Sequence, residues 1–290
     1  MLPKKILLVI LLACSLSAAF SQGSARRLIS EYKDSLNYLA HVMQRGENDS
    51  ARFASESVYY SILNFILTDS SSFNASFDSI PNLSVRTAPD KAFRLYTWVT
   101  SNYAGSLYRY FGMVQVQKNK KVNLFPLSDS TEVIEKPLSK KLKADHWFGA
   151  VYYNIIANER KGKKYYTLLG WKGINETTTQ KVIDVISFDS GKPSFGLPVF
   201  KANNIYNNRV IFEFTSQAVM SLKYIPNNHM LLFDHIGKST ITGVIGPDGT
   251  YDAFKFVTDH WEYAEDLDVD NGFVPRKKDV KLFKDDELKK

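Results

Sequence analysis

Cysteine is nearly absent from this chain. The 290 residues include one, Cys14, which lies in the first apolar segment. A disulfide scaffold needs several cysteines, as does a metal or redox site built from thiolates, so both classes are excluded. Long apolar runs are also missing after the N-terminal segment, and a stable transmembrane helix needs about 20 apolar residues. We therefore expect no membrane span in the mature chain.

The common signatures of nucleotide-binding and hydrolytic enzymes are missing as well. Gly237-Lys238-Ser239-Thr240 ends like a phosphate-binding loop, but Leu232 stands where the first glycine belongs, and a strand rather than a helix is expected afterwards. Neither Gly-x-Ser-x-Gly nor His-Glu-x-x-His occurs. The strand and helix patterns do not alternate regularly, which argues against a doubly wound nucleotide-binding fold. We expect no cofactor.

The residues that are present have a globular composition, with 44% hydrophobic and 23% charged residues and a net charge of +7. The charge is uneven: the segment 118–164 carries eleven basic and five acidic residues, whereas 252–270 carries seven acidic residues and one lysine. Because the lysines fall in pairs at predicted turns, solvated hairpin tips explain them better than a patch for an anionic polymer or a membrane surface. Nucleic acid is a poor partner for an exported protein.

The N-terminus resembles a secretory signal. Lys4 and Lys5 precede an apolar core at Ile6–Leu12, and Ala19 and Ser21 supply the small side chains that signal peptidase requires. This pattern predicts a signal peptide over residues 1–21 and a mature chain without cysteine. The protein is therefore expected outside the cytoplasm, in the periplasm or associated with the envelope.

A second interpretation of this segment stays open. Leu11-Leu12-Ala13-Cys14 is similar to a bacterial lipobox, in which the cysteine thiol receives lipid. Leu12 is unusual before the small residue and Cys14 lies early in the apolar core, so simple cleavage is favoured over a lipoprotein.

Helical periodicity marks residues 22–68. Leu28, Tyr32, Leu36, Leu39 and Met43 share one helical face. After a break at Gly46 and Asn48, Ser50 is the expected N-cap of a second helix, whose apolar positions we take to be Phe53, Tyr60, Leu63 and Leu67. These patterns predict a helical hairpin.

The remainder of the chain reads as β structure. A polar loop is expected over residues 69–90, strands with alternating polarity over 91–270, and a charged tail over 271–290. Turn sequences such as Lys161-Gly162-Lys163 separate the strands. The fold class is mainly β (α+β): the helical hairpin is followed by a large antiparallel β domain, as a sandwich, a barrel or a partial propeller.

Several segments of the β region are similar to a group of uncharacterised exported proteins of Bacteroidetes-type bacteria. The stretch that contains them runs from Trp147 to Tyr263 and covers about two-fifths of the chain; the segments are residues 147–153, 165–171, 181–185, 195–200, 218–224 and 246–252. The resemblance implies export and a β-rich fold. It implies no activity and no catalytic residue.

Three histidines follow an aspartate directly, and they are the weak catalytic candidates. They are His146, His235 and His260, with Asp234 and Asp259 as carboxylates that two of them could share. Such groups could form an acid/base pair or ligate a metal if turns brought them together. Neighbours on a strand point to opposite faces, however, so we expect polar strand ends in which each aspartate and its histidine interact poorly.

Asp266, Asp268 and Asp270 have the alternate spacing of a calcium loop. Asn271 occupies the position of the glycine, and Lys277 the position of the closing carboxylate, so an EF-hand is excluded. A looser calcium site competes with a solvated acidic turn, which is the favoured interpretation.

The sequence as a whole favours an exported, non-enzymatic binding or structural protein whose partner is an envelope component, a peptide or a glycan. Aromatic residues are frequent in the strands and could bind such ligands, although core packing explains them as readily. The alternative is a secreted hydrolase acting on envelope or dietary polymers.

Overall fold

The computed structural model describes residues 4–238, 245–268 and 274–275. Two helices come first, α1 (Lys4–Arg45) and α2 (Asp49–Thr68). Short 3-10 turns follow at Ser70–Asn74, Thr131–Val133, Ala144–His146 and Pro226–Asn228. Among the helices described, none combines the length and the hydropathy that crossing a membrane requires.

Strands make up most of the remaining chain. They are β1 (Ser84–Thr87), β2 (Phe93–Ser101), β3 (Tyr108–Lys118), β4 (Lys121–Ser128), β5 (Leu142–Lys143), β6 (Val151–Arg160), β7 (Lys163–Gly173), β8 (Thr178–Asp189), β9 (Lys192–Phe195), β10 (Phe200–Ala202), β11 (Ile205–Asn207), β12 (Val210–Thr215), β13 (Leu222–Ile225), β14 (Met230–Lys238), β15 (Ile245–Val257), β16 (His260–Ala264), β17 (Leu267–Asp268) and β18 (Val274–Pro275).

These strands form three large sheets and one small one. The first sheet has the order β1-β2-β3-β4, the central sheet β5-β9-β8-β7-β6 with β12 paired to β8, and the third β11-β10-β16-β15-β14-β13. Strands β17 and β18 form a separate pair. All pairs are antiparallel except β10 with β16, which run parallel.

Alternating side chains stack these elements as layers. On β2, Trp98 faces the helices and packs in one core with Leu63 of α2, whereas Leu95 faces the central sheet. On β7, Leu168 packs toward the first sheet and Leu169 toward the third. Both faces of the central sheet are therefore buried along most of β7 and β8.

The structure confirms the predicted fold class, with two N-terminal helices followed by a large β-sheet domain. The sheets do not close into a barrel, and the shared cores pack them face to face as in a sandwich. The parallel pair β10–β16 departs from the purely antiparallel arrangement that we expected. Between β10 and β16 the chain passes through β11, then through β12 in the central sheet, and then through β13, β14 and β15 of the third sheet.

Local details of the helical region differ from the sequence expectation. The N-cap of α2 is Asn48, whose side chain accepts a hydrogen bond from the Ala51 amide, and not Ser50. The buried stripe of α2 is also rotated: it includes Glu56, Tyr59 and Leu63, whereas Tyr60 is only half-buried. The segment expected to be a polar loop over 69–90 contains the 3-10 turn at Ser70–Asn74 and strand β1.

Lysines of the basic segment lie in tight hairpin turns. Asn119 and Lys120 connect β3 to β4, and Lys161 and Gly162 connect β6 to β7; all four residues have φ between 50° and 74°. Two consecutive positive φ values give the turn whose twist matches antiparallel strands. Lys120 and Lys161 therefore lie at exposed hairpin tips.

Candidate functional site

A cleft of about 1090 Å³ runs past one end of the first sheet, from α2 to the end of β7. Its wall includes exposed Ser57 and Ser61 of α2, the first residues of β3, the last residues of β4 and the 3-10 turn that follows. On the far side the wall is completed by Lys172 and Gly173 of β7. The cleft therefore joins the helical layer to the central sheet.

Glu56 lines the cleft on the α2 side and is 6% exposed. Its Oε1 is buried and accepts no hydrogen bond among the residues that the structure describes. Burial raises the pKa of the carboxyl group to about 7, and the Trp98 indole and the charge of Arg109 oppose this rise only in part. A carboxyl group that changes its charge near neutrality is a common feature of functional sites.

Lys172 lines the cleft on the β7 side and is 2% exposed. Its Nζ donates hydrogen bonds to Thr131 Oγ1 at 2.9 Å and to the Gly149 carbonyl at 2.5 Å, and it lies 4.1 Å from the centre of the Tyr110 ring. Burial lowers the pKa of the ammonium group to about 8 although the Asp129 charge works in the other direction. Lys172 is therefore held in place by several groups and titrates close to neutrality.

The turn after β4 is fixed around Asp129. Its Oδ1 accepts hydrogen bonds from the Thr131 amide, the Thr131 hydroxyl and the Gly149 amide. A Cβ at Gly149 would lie 2.6 Å from both Asp129 Cγ and Tyr110 Cβ, so this close approach requires glycine. The wall of the cleft is thus rigid where Lys172 enters it.

Behind Lys172 lies a fully buried ion pair. Arg209 Nε is 2.8 Å from Asp184 Oδ2, and both side chains are 0% exposed. The same carboxylate accepts a hydrogen bond from Tyr152 Oη, and its Oδ1 accepts one from the Val185 amide. These contacts satisfy Asp184 within the core, so the pair is a structural element and not part of the accessible cleft.

The candidate histidines do not share one site. His235 lies at the bulge of β14 next to Asp234, which is opposite Tyr251 of β15, whereas His260 is opposite Val257 of the same strand. Six residues of strand separate these positions, or about 20 Å at about 3.3 Å per residue. His146 lies in the 3-10 turn between β5 and β6 of the central sheet. The three imidazoles therefore belong to three different places in the fold.

Two of the aspartate–histidine pairs interact, contrary to the strand-based expectation. Asp145 Oδ1 lies 3.1 Å from His146 Nδ1, and Asp259 Oδ1 lies 3.1 Å from His260 Nδ1. The first pair is in a 3-10 turn and the second at the start of β16 after a turn, where the alternation of strand side chains does not hold. His260 also packs edge-on against Tyr206.

His235 pairs across the sheet with Asp252 and not with its neighbour Asp234. His235 Nδ1 lies 2.7 Å from Asp252 Oδ2, which also accepts a hydrogen bond from Tyr263 Oη. Burial lowers the pKa of His235, but Asp252, with Asp248 and Glu265, reverses this effect and raises it overall. Asp234 accepts a hydrogen bond from the Ser221 amide instead.

The calcium candidates are only partly described. The Asp266 amide donates a hydrogen bond to Asp252 Oδ1, and Asp268 pairs with Val274 between β17 and β18. Asp270 lies outside the described residues. Within the described part of the chain, no group of three or more His, Cys, Asp or Glu side chains is arranged to hold a metal ion.

Sequence reasoning missed the titratable groups of the cleft. Glu56 follows Arg52 by four residues and precedes Tyr59 by three, so it falls within the buried stripe of α2. Lys172 follows Leu168 by four residues on β7 and therefore points to the same face of the strand. The same signal was available for Glu56 and Lys172: each is a charged residue at a position where the periodicity of the sequence predicts burial.

Comparisons with known proteins return no relative: no family model, no curated protein and no solved structure matches the chain.

Proposed function

We propose that this chain is an exported binding protein, located in the periplasm or at the envelope, whose ligand occupies the cleft between α2 and β7. The observation that carries the proposal is the cleft itself: it is large, open to solvent and lined by four aromatic rings together with ten polar or charged residues. Ligand sites generally combine these properties. The resemblance to exported proteins of Bacteroidetes-type bacteria supports the export part of this proposal.

The export part rests on the N-terminal sequence. Lys4, Lys5 and the apolar core through Leu12 form a signal-peptide pattern, and cleavage would follow Ser21. Ser24 and Ala25 of α1 bond to the Ser71 side chain, in the 3-10 turn after α2. Cleavage after Ser21 leaves these contacts in the mature protein. Mass measurement of protein purified from its native envelope should give Gln22 as the first residue; a lipid-modified Cys14 would contradict this.

Binding in the cleft can be tested by filling it from α2. Ser61 is an exposed cleft residue, and its hydroxyl bonds only to the Ser57 carbonyl of its own helix. Ser61→Trp should therefore obstruct the cleft with little effect on the fold. Val58 is 50% exposed on the same helix but does not line the cleft, so Val58→Trp is the matched control.

The measurement is thermal unfolding of the mature chain with panels of oligosaccharides and oligopeptides. A ligand at 100 times its dissociation constant stabilises the native state by about 2.7 kcal/mol, which gives a clear rise in melting temperature. We expect such a rise for the wild type and for Val58→Trp, but not for Ser61→Trp. A rise that persists in Ser61→Trp would place the ligand elsewhere and contradict the proposal.

A second function, hydrolysis, is favoured by one specific observation. Burial raises the pKa of the Glu56 carboxyl group to about 7, the range in which a carboxylic acid serves as a general acid near neutral pH. Asp129 and Glu132 also line the cleft and are the carboxylates available as its partner. In a hydrolase of this kind, Glu56 would donate the proton to the leaving group.

Product analysis separates the two functions. A bound oligosaccharide or peptide incubated with the wild type should be recovered intact if the protein only binds it. Cleavage products that disappear in Glu56→Gln would establish the hydrolase instead. Cleavage that continues in Glu56→Gln would exclude Glu56 as its acid.

A further inference from the structure

We infer that the cleft binds a neutral glycan, stacked on Tyr60, Tyr108 and Phe111 and hydrogen-bonded by the polar groups of the wall. This inference rests on the proposed function, because it names the ligand class for the same cleft. It is carried by three features of the wall: its aromatic rings, its charges of both signs and the state of the neighbouring sheet edge.

The aromatic rings are both accessible and fixed. Tyr60, Tyr108 and Phe111 line the cleft and are partly exposed. Phe111 stacks on Trp98 with a centroid distance of 5.9 Å and an interplanar angle of 17°, and the Tyr60 centroid lies 6.0 Å from that of Trp98. Tyr108 meets Trp171 edge-on at 6.1 Å. Rings held in this way offer flat apolar faces to the C–H groups of a pyranose without losing side-chain entropy on binding.

The charged residues of the wall are of both signs. Arg109 and Lys172 are its basic residues, and Glu56, Asp129 and Glu132 its acidic ones. A polyanion would require clustered cations, and here it would meet carboxylates as well. A sugar hydroxyl both donates and accepts hydrogen bonds, so a wall of mixed donors and acceptors suits a neutral polyhydroxylated ligand. Because Glu56 titrates near neutrality, it can serve such a ligand as a donor or as an acceptor.

The sheet edge beside the cleft is not available to a peptide. An extended peptide binds by adding a strand to a free edge. At the end of edge strand β4, the Ser128 carbonyl already accepts a hydrogen bond from the Trp147 amide, and the Trp147 carbonyl accepts one from Ser130. Pro126, which also lines the cleft, has no N–H group to donate. Stacking on rings is therefore better supported than strand addition.

The test is isothermal titration calorimetry of the mature chain with three classes of probe. The first is a set of neutral oligomers of three to six hexose or N-acetylhexosamine units. The others are oligogalacturonates and uncharged peptides of matching length. We expect at least one neutral oligomer to bind the wild type and Val58→Trp equally, to bind Tyr108→Ala at least tenfold more weakly, and to show no binding to Ser61→Trp.

Each other outcome overturns part of the account. Peptides or oligogalacturonates that bind while the neutral oligomers do not, with binding lost in Ser61→Trp, overturn the glycan inference and leave the cleft as the binding site. If neutral oligomers bind Ser61→Trp as they bind the wild type, both the glycan inference and the proposed binding site in the cleft are overturned. Absence of binding by every probe overturns the same two proposals. Melting curves of the free variants identify any loss of folding, and Ser61→Trp keeps the test valid if Tyr108→Ala unfolds.

Discussion

Asp184 and Glu56 are both buried carboxylates, but their surroundings differ completely. Asp184 lies in the central sheet, where Arg209, Tyr152 and a backbone amide supply its hydrogen bonds and countercharge. Glu56 lies on α2 at the wall of an open cleft; its Oε1 accepts no hydrogen bond among the residues described, and the Trp98 indole and the Arg109 charge offset its burial only in part. Both oxygens of Asp184 have partners within the core, although Arg209 Nε and Nη2 donate no hydrogen bond among the described residues, whereas the Glu56 carboxyl group has an oxygen free for a further hydrogen bond.

This difference bears on the free energy of burying each carboxylate and on the role that each one can have. A buried charge without a partner is unfavourable, and proteins retain such groups mainly where they serve a function. A buried charge with every partner in place specifies the packing around it instead. The contrast between the two carboxylates is therefore the physical basis for assigning function to the cleft and structure to the core.

The largest effect should come from breaking the buried ion pair of Asp184 and Arg209. Arg209→Met removes the countercharge of Asp184 and leaves its carboxylate buried without it, which typically costs about 3–5 kcal/mol. Urea unfolding should show a loss of this size. Arg160→Met is the matched control, because Arg160 is 28% exposed and lies 3.4 Å from Asp259. That variant should lose less than about 1 kcal/mol; equal losses for the two variants would contradict the contrast.

A smaller effect, dependent on pH, should come from Glu56. The folded-state pKa of Glu56 is about 7, above its ordinary value of 4.5, so its contribution to stability is present at low pH and is lost as the pH rises through 7. Relative to Glu56→Gln, the wild type should become less stable between about pH 5 and pH 8 by roughly 2–3 kcal/mol. If the unfolding free energies of the wild type and Glu56→Gln change in parallel over this range, the pKa of Glu56 is not raised.

Lys172 should show the opposite dependence. Its folded-state pKa is about 8 and its ordinary value 10.5, so between these values the unfolded state binds more protons and the native state gains stability as the pH rises. Between about pH 7.5 and pH 9.5, the wild type should gain about 2 kcal/mol relative to Lys172→Met. A constant difference between the two proteins would mean that the ammonium group stays charged.

The sequence predicts the layers of this fold better than it predicts the cleft. The helical spacing of Leu36 and Met43 is a local property, and it matches the core that the structure forms. Strand β2 was expected to be half-buried, but like β7 it is buried on both faces. The burial of both faces of β7 depends on sheets that are distant in sequence, so a half-polar strand was the wrong expectation there. The pairing of His235 with Asp252 likewise depends on the register between β14 and β15, which composition does not determine.

The smallest effect should come from His235, whose imidazole is one-third exposed. Its pKa is raised above 6.5 in the folded state, so its contribution is fully present below pH 6.5 and is lost as the pH rises through the folded-state value. The wild type should therefore exceed His235→Gln in stability more at about pH 5.5 than at about pH 8. A pH trend of the opposite sign would count against the Asp252 pairing.

The most direct test of the account is the titration of the Glu56 carboxyl group by carbon-13 NMR, with Glu56→Gln to assign its resonance. The account predicts a pKa of about 7 in the free protein, against an ordinary value of 4.5. It also predicts that a saturating neutral oligosaccharide moves this pKa, because the ligand changes the hydrogen bonds and the solvation of the carboxyl group. A pKa near 4.5, or one that does not change when the oligosaccharide is bound, would contradict it.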